Sequence, residues 1–335
     1  MKDKLIEVEK AQGVFDDKKN ENFNILISSI SQKVPLINAV KKASLKSGNK
    51  GKIFGGDINA KCIGRYFTDE FWQMPALNDL DIQELILFCQ QNNIKAIIPS
   101  RDGELQYFAK YKDLLGKNYI SCMVSSIQAI TSCLDKLLFF EELKKHNFPA
   151  IQTCLNITDI NEELLVVKER LGAGSKNLGL RLNKTQAVEY AKTLINPIFQ
   201  PFIEGQEYSI DVYVTTKKRV KGCIVRTRDV VVEGESQVTT TQNMPDLEEL
   251  CTEVAEKLDL YGHCVFQAIG WTNGGYNIIE CNSRFGGAST LSIEAGLDSF
   301  FWFLMESLGN DIDSYPFLKS SMQKKQIRYK NDYYI

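Results

Sequence analysis

The chain has 335 residues, of which 44% are hydrophobic and 24% charged, and its formal net charge is −2. This length and ordinary composition predict two or three compact globular units, each with its own core. The near-neutral charge gives no electrostatic reason to expect nucleic acid or an anionic membrane as a partner.

The number and spacing of the cysteines and histidines argue against disulfides, metal-hydrolase sites and histidine-activated nucleophiles. The nine cysteines are scattered, odd in number and never spaced as C-x-x-C, which is typical of reduced thiols in a cytoplasmic protein. The two histidines, His146 and His263, are too few for most metal-hydrolase and Ser-His or Cys-His nucleophile schemes. The opening MKDKLIEVEK lacks a signal-peptide core, and no run approaches the length of a membrane span.

Residues 1–22 combine an amphipathic piece with a charged stretch, and we interpret them as a loosely attached extension. Between residues 23 and 126, short apolar runs alternate with helical segments, which indicates parallel strands in a doubly wound, Rossmann-like domain. The turn at residues 28–32 contains no glycine, so the dinucleotide fingerprint is missing and NAD is not expected. Four charged residues that follow predicted strands are interpreted as solvated loop positions: Asp57, Arg101, Asp102 and Glu104.

A predicted helix opens the second unit, residues 127–199, which we interpret as a lid. Ser132 can cap this helix, and Asp135 lies in its first turn, as the helix dipole prefers. Lys136 also lies near its start. A lone lysine at such a position is normally a surface residue.

A glycine-rich loop at residues 172–175 follows between two strand-like runs. Because it joins two strands, it is neither a Walker loop nor a Rossmann turn, both of which open a helix. A glycine loop inside a hairpin can fold over nucleotide phosphates as a flap, with Lys168 on the preceding strand as the cation. The alternative is a simple turn.

The third unit, residues 200–335, contains the most informative stretch, a predicted β-hairpin at residues 265–289. Its second strand places Glu280, Asn282 and Arg284 at a period of two, so their side chains share one face. Such a face is unusual for a core and suggests a ligand-binding surface. A solvated hairpin face is the alternative.

The loop of this hairpin decides where Gln267 lies. A two-residue loop at 273–274 places Gln267 opposite Glu280, and a loop one residue later places it opposite Asn282. A three-residue loop would turn Gln267 to the other face. In the first two cases, three oxygen-bearing side chains meet on one surface and suit Mg²⁺ held together with phosphate.

The order of these elements resembles the ATP-grasp superfamily, with the carbamoyl phosphate synthase large chain as the nearest type of member. Four elements occur in the expected order: the first domain, the glycine loop, the segment at 198–211 that breaks at Gly205, and the Glu-x-Asn strand. The resemblance covers residue 24 to the C-terminus. It implies an α/β protein with the ATP-grasp fold: a doubly wound preceding domain, an α+β lid with a glycine-rich hairpin, and a C-terminal α+β domain with an antiparallel sheet.

The resemblance also implies residues that bind ATP. Lys136 would contact the α-phosphate, and Lys168 the α- and β-phosphates. The flap would contribute Gly172, Gly174 and Ser175. The hinge that reads the adenine edge and the acid that holds the ribose would be Gln200, Pro201, Phe202, Ile203 and Glu207.

At the reacting end, the resemblance assigns Gln267, Glu280 and Asn282 to two Mg²⁺ ions, for which Mn²⁺ can substitute. Catalytic roles would fall to Lys168 and to three arginines. Arg284 would steady the transferred phosphoryl group, whereas Arg226 and Arg228 would meet a substrate carboxylate or the γ-phosphate. An exposed basic strand face is the alternative for the last two, and Arg328 is expected in a last strand near the site.

Two positions depart from the family pattern. Glu169 follows Lys168 where proline is usual, and Gln267 replaces the carboxylate of many members. One metal ion is therefore expected to be held more weakly than the other.

The implied function is an ATP- and Mg²⁺-dependent carboxylate–amine ligase that acts through an acyl phosphate and releases ADP and phosphate. Its partners would be a small-molecule carboxylate and an amine, with no nucleic acid and no membrane, and a homodimer is left open. The departures motivate a second hypothesis, a non-catalytic nucleotide-binding regulatory module. A carboxylate kinase that releases its acyl phosphate is a third.

Overall fold

The computed structural model describes residues 22–172, 177–271 and 274–335. In these ranges the chain builds three β-sheets, each from a different part of the sequence. Within the same ranges, no helix combines the length and the apolar character that crossing a membrane requires.

The first sheet is parallel. Its strands are β1 (Asn24–Ser28), β2 (Ile53–Asp57), β3 (Glu70–Gln73), β4 (Ile94–Ile98) and β5 (Ser121–Cys122), and its helices are α1 (Val34–Lys46), α2 (Ile82–Gln91) and α3 (Asp102–Lys117). The strand order is β3-β2-β1-β4-β5. Along β1, Ile25 and Ile27 pack into the core that contains α1, whereas Leu26 packs into the core on the other face. Burial on both faces explains the continuous apolar runs and confirms the doubly wound prediction.

Two charges after these strands are not the solvated loop positions that we predicted. Asp57 is buried and accepts a hydrogen bond from Ser31 N (2.7 Å). Glu104 is fully buried and accepts a hydrogen bond from Ser29 Oγ (2.7 Å). Both carboxylates satisfy donors of neighbouring turns, which compensates for part of their desolvation. Arg101 is exposed, as predicted.

The second sheet is antiparallel and flanks the glycine loop. It contains β6 (Leu165–Glu169), β7 (Gly179–Leu182) and β8 (Pro197–Pro201), and it is accompanied by α6 (Lys184–Ala191). The strand order is β7-β6-β8. The predicted arrangement of a loop between two strands is confirmed by the pairing of β6 with β7. The predicted flap residues Gly174 and Ser175 lie outside the described residues.

The helix before this sheet begins later than predicted. The chain forms α4 (Ile127–Leu134) and α5 (Lys136–Lys145), so Ser132 lies inside α4 and caps nothing. Asp135, with an extended backbone, accepts hydrogen bonds from Leu137 N (3.0 Å) and Leu138 N (3.2 Å) and caps α5. Arg170 Nε donates to both carboxylate oxygens of Asp135 (2.8 Å), which holds this break in place. Lys136 is therefore the first residue of α5.

The third sheet is antiparallel. It contains β9 (Gly205–Val214), β10 (Val220–Val232), β11 (Glu235–Gln242), β12 (Gly262–Trp271), β13 (Tyr276–Asn282) and β14 (Lys325–Ile327), with helices α7 (Pro245–Lys257), α8 (Thr290–Glu294) and α9 (Ser299–Ser307). The strand order is β13-β12-β9-β10-β11-β14. One core joins this sheet to α7, and a second joins it to α9 and α1. The first and third sheets are thus connected through a shared core.

The hairpin of β12 and β13 has the register of a three-residue loop next to its turn and the register of a two-residue loop farther from it. Near the loop, the pairs Ile269–Asn277 and Gly270–Tyr276 fit three residues between Trp271 and Gly275. A β-bulge then shifts the register by one residue, and Gln267 pairs with Glu280. The two-residue loop was wrong, but the bulge restores the predicted pairing.

Candidate active site

A cavity of about 1000 Å³ lies between the second and third sheets. Its size is in the upper part of the range of small-molecule sites. Every described residue of the predicted site lines it: Lys136, Lys168, Gly172, Gln200, Pro201, Phe202, Ile203, Glu207, Arg226, Arg228, Gln267, Glu280, Asn282 and Arg284. The predicted positions therefore meet in one place, although their individual roles remain predictions.

One end of the cavity is largely apolar. Val166 of β6, Ile269 of β12 and Phe202, the residue after β8, line the cavity. Gln200 is buried and donates from Nε2 to Thr153 Oγ1 (2.8 Å), which fixes the orientation of its amide. A slot with apolar walls and a fixed amide suits a planar base.

Two lysines follow next along the cavity. Lys136 is buried, and its Nζ donates to Gly172 O (2.8 Å), which ties α5 to the start of the flap. Lys168 projects from β6. Burial, together with the neighbouring Lys136 ammonium group, lowers the pKa of Lys168 to about 8 against the opposing effect of Glu280 and Glu207. These two lysines form a cationic patch whose charge the neighbouring carboxylates do not fully neutralise.

The opposite wall is the polar face of β13. Asn282 Nδ2 donates to Glu280 Oε1 (3.3 Å), and Arg284 Nη2 donates to Asn282 Oδ1 (3.2 Å). Burial alone would raise the pKa of Glu280, but the Lys168 and Lys136 ammonium groups outweigh it and hold the pKa below its ordinary value. Glu280 is therefore an anion at neutral pH. One carboxylate and one amide oxygen fit a hard cation such as Mg²⁺, which takes its remaining ligands from water and phosphate.

Gln267, the third predicted metal ligand, already has a partner. Its Oε1 accepts a hydrogen bond from Arg228 Nη1 (2.9 Å). Arg228 Nη2 donates to Gly234 O (2.8 Å), and Nη1 lies 3.4 Å from a carboxylate oxygen of Glu207. Among the described residues, no group of three or more His, Cys, Asp and Glu side chains is arranged to hold a metal ion.

Arg226 is not part of an exposed basic face. It is 2% exposed, and its Nε donates to Asp211 Oδ2 (2.5 Å). The fully buried Asp211 also contacts His263 Nε2 (3.0 Å) and accepts hydrogen bonds from Ser292 Oγ (2.6 Å) and Ser289 Oγ. This network holds the Arg226 guanidinium at the floor of the cavity.

Arg284 links the site to the first sheet. Its Nη2 donates to Asp102 Oδ2 (2.5 Å) at the start of α3, so the prediction that Asp102 is a solvated loop charge was wrong. Arg328 follows β14, lines the cavity and donates from Nη1 to Glu235 Oε2 (2.6 Å). The last strand therefore lies near the site but ends one residue before Arg328, whereas the sequence predicted a strand that contains Arg328.

Two guanidinium nitrogens in this cavity have no hydrogen-bond partner within the described residues. They are Nε of Arg228 and Nε of Arg284, and both are buried. A buried donor without an acceptor costs free energy, so an incoming oxyanion that accepts from these groups would remove a penalty. Both orphan donors therefore favour an anionic ligand.

The sequence reasoning missed Asp211 and His263 and saw no partner for the histidine. A signal was present in the run EYSIDVYV, where Ser209 and Asp211 share the strand face of the buried Tyr213. An acid at a core position of an apolar strand requires a buried partner.

The lowered pKa of Lys168 predicts pH-dependent nucleotide binding. In the role that the resemblance implies, the protonated amine of Lys168 binds phosphate, so the Kd of a non-hydrolysable ATP analogue should rise above pH 8, by up to about tenfold per pH unit. The substitution Lys168→Arg keeps a charge throughout this range and should flatten the profile. Calorimetric titrations between pH 7 and 9.5 measure both slopes. Equal slopes in the two proteins would show that another group titrates.

Comparison with known protein families gives two matches. Residues 133–288 match the ATP-grasp domain, and residues 25–123 match the PylC-like N-terminal domain. The search among curated proteins finds no match.

Three solved structures with the same fold are enzymes in complex with adenine nucleotides. Biotin carboxylase from Campylobacter jejuni, in complex with β-γ-ATP, is 15% identical with a TM-score of 0.72, over 91% of this chain and 75% of that one. N5-carboxyaminoimidazole synthetase from Staphylococcus aureus, complexed with ADP, is 17% identical with a TM-score of 0.69, over 88% of this chain and 79% of that one. The biotin carboxylase domain dimer of Hydrogenobacter thermophilus 2-oxoglutarate carboxylase, with MgADP and bicarbonate, is 16% identical with a TM-score of 0.72, over 91% of this chain and 74% of that one. At these identities the likeness shows the fold. Together with the two family matches, it shows that the chain combines a PylC-like N-terminal domain with an ATP-grasp domain in the ATP-grasp fold.

Proposed function

We propose that the chain is an ATP- and Mg²⁺-dependent ligase that joins a carboxylate to an amine through an acyl phosphate and releases ADP and phosphate. The observation that carries this proposal is the meeting of two lysines, a polar face with one carboxylate, and four arginines in one cavity. Two anionic groups, a triphosphate and a carboxylate, would use these cations together.

In this proposal the base lies in the apolar slot, against Gln200 and Phe202, and Glu207 accepts hydrogen bonds from the ribose hydroxyls. The triphosphate then extends along Lys136 and Lys168. The domain boundaries inferred from the sequence, at residues 22, 126 and 199, belong to the same proposal. The fold likeness to nucleotide complexes supports the binding of a nucleotide.

The reacting end would combine Arg226 and Arg284. Their guanidinium groups reduce the repulsion between a substrate carboxylate and the γ-phosphate. A carboxylate oxygen attacks the γ-phosphorus, the bond from that phosphorus to the β–γ bridging oxygen breaks, and ADP leaves. A neutral amine then attacks the acyl carbon, phosphate leaves, and the nitrogen loses a proton. Bound Mg²⁺ would neutralise phosphate charge during the first transfer.

The test is product analysis with the full chain, ATP, Mg²⁺, and pooled amino acids and sugar acids. The proposal predicts ADP and phosphate in equal amounts, together with an amide. With hydroxylamine in place of an amine, a hydroxamate should accumulate. Release of AMP and pyrophosphate would contradict the proposed reaction. Hydroxamate formation without an amide for any amine would favour the carboxylate kinase.

One observation supports the alternative of a non-catalytic nucleotide-binding module. Gln267, a predicted metal ligand, is engaged by Arg228 and adds no negative charge. This alternative predicts that a non-hydrolysable ATP analogue binds tightly in calorimetry while no substrate panel yields turnover. Turnover with any panel would eliminate it.

The ribose role of Glu207 predicts a selective effect on binding. Its side chain is 50% exposed, so Glu207→Gln should leave the fold intact. Loss of a charge-assisted hydrogen bond should raise the KM for ATP by about tenfold, with little change in kcat. The control is Glu204→Gln, since Glu204 lies three residues earlier and does not line the cavity. A change in kcat with an unchanged KM would assign Glu207 to the chemical step.

A further inference from the structure

The predicted metal ligands Gln267, Glu280 and Asn282, called the metal face below, carry less negative charge than two divalent ions require. Glu280 is the carboxylate on this face, and the residue paired with it across the hairpin is the amide Gln267. An amide offers a metal a neutral oxygen, whereas a carboxylate brings a negative charge, so this pair supplies a single negative charge. The face therefore favours a single ion.

The Gln267 oxygen is also directed at a cation of the protein itself. Arg228 Nη1 donates to Gln267 Oε1 at 2.9 Å. A second metal ion bound to that oxygen would lie next to the guanidinium, and two like charges in a partly buried site repel strongly. The second ion can enter only if Arg228 moves away.

Arg228 is held in place from several sides. Its side chain is 6% exposed, Nη2 donates to Gly234 O (2.8 Å), and Glu207 lies on the remaining side of Nη1 (3.4 Å). On the backbone, Arg228 pairs with Thr239 of β11, and the preceding Thr227 pairs with Tyr208 of β9. The Arg228 guanidinium is thus a buried, fixed part of the cavity wall, and its contact with Gln267 is not that of a mobile surface side chain.

The second amide on this face is engaged differently. Asn282 Oδ1 receives a longer contact from Arg284 Nη2 (3.2 Å), and that nitrogen has a shorter hydrogen bond to Asp102 (2.5 Å). Arg284 is therefore drawn toward the first sheet, and Asn282 Oδ1 gives up a longer contact than Gln267 Oε1 would when it turns to an ion shared with Glu280. The two amides thus differ in their contacts: Asn282 lies at the position that suits a metal ion, and Gln267 lies at the position that the Arg228 guanidinium occupies.

One nitrogen of Arg228 is available to donate a hydrogen bond to phosphate. Its Nε is buried and has no partner within the described residues. A guanidinium that uses Nη1 and Nη2 for the protein and Nε for a phosphate oxygen would neutralise phosphate charge as a metal ion does.

We propose that the site binds one Mg²⁺, at Glu280 and Asn282, and that the Arg228 guanidinium takes the place of a second ion. This inference rests on the proposed nucleotide site. It replaces the expectation of two metal ions, one of them weakly held, by one ion and one fixed cation.

The number of bound ions tests this directly. The full chain is saturated with a non-hydrolysable ATP analogue and titrated with Mn²⁺, and free Mn²⁺ is measured by electron paramagnetic resonance. The expected stoichiometry is one tightly bound Mn²⁺ per chain. Two tightly bound ions would overturn the inference while leaving the nucleotide site intact. If the chain binds no analogue in calorimetry, the nucleotide site and this inference both fail.

A variant pair tests the role of Arg228. The double substitution Arg228→Met with Gln267→Glu supplies a second carboxylate and removes the guanidinium, so two Mn²⁺ ions should bind. The matched control combines Arg328→Met with Gln267→Glu; Arg328 lines the same cavity but contacts Glu235. This control should still bind one ion, because Arg228 remains to pair with the new carboxylate. Two ions in the control would show that Arg228 does not decide the stoichiometry.

Discussion

Replacement of Glu280 by glutamine is expected to lower kcat by about 10³-fold, equivalent to ~4 kcal/mol of transition-state stabilisation. Glu280 is the carboxylate of the proposed metal face, and its pKa is held low by Lys168 and Lys136 despite burial. Glutamine keeps the size of the side chain and removes the charge. The interaction lost is strongest when charge shifts between the phosphates, so kcat should fall more than binding.

Steady-state rates of ADP release measure this effect. The control is Glu249→Gln on α7, an exposed glutamate of the same unit that does not line the cavity. Its rate should match the wild type. A Glu280→Gln enzyme with more than a tenth of the wild-type kcat would remove Glu280 from the metal site.

Replacement of Asp211 by asparagine is expected to destabilise the fold by about 3–5 kcal/mol. The substitution leaves the Arg226 guanidinium buried, at 2% exposure, without its counter-charge. Burial alone would raise the pKa of Asp211, but the Arg226 charge and the His263 hydrogen bond outweigh it and hold the pKa far below its usual range. Because the pKa is lowered on folding, the stabilisation is complete at neutral pH and is lost only in strong acid.

Urea denaturation of four proteins separates this charge effect from loss of packing. They are the wild type, Asp211→Asn, Arg226→Met and the double variant. Because the double variant contains no unpaired charge, it should regain much of the stability that either single variant loses. If the two losses simply add, the network does not depend on the ion pair.

Short-range patterning explains how much of this site could be predicted. Glu280, Asn282 and Arg284 share a face because strand side chains alternate, and this period does not depend on the rest of the fold. Likewise, a loop flanked by strands is visible locally, so Lys168 could be placed beside the flap. Residues whose position follows from one element were therefore found.

The hairpin register shows where local patterning fails. The loop residues alone predicted that Gln267 would pair with Glu280 only across a two-residue loop. The structure reaches the same pair by a longer loop and a β-bulge. A bulge depends on how the hairpin packs against β9 and the core, and no residue type in the strand encodes it.

The burial of charged side chains was the second feature that the sequence did not predict. Glu104 was interpreted as solvated, although Ser29, 75 residues earlier in the chain, donates to it. Asp211 went unnoticed because its partners come from β10, β12 and the residues around α8. Local sequence indicates polarity, whereas burial of a charge depends on partners that only the tertiary fold brings together.

Transfer of ¹⁸O from the substrate carboxylate to phosphate reports acyl phosphate formation in this cavity. The full chain is incubated with ATP, Mg²⁺, pooled amines, and amino acids and sugar acids labelled with ¹⁸O in their carboxyl groups, and the released phosphate is analysed by mass spectrometry. The account predicts ADP together with phosphate that carries one ¹⁸O from the carboxylate, and loss of both in Glu280→Gln. Unlabelled phosphate, or the label in AMP together with pyrophosphate, would contradict it.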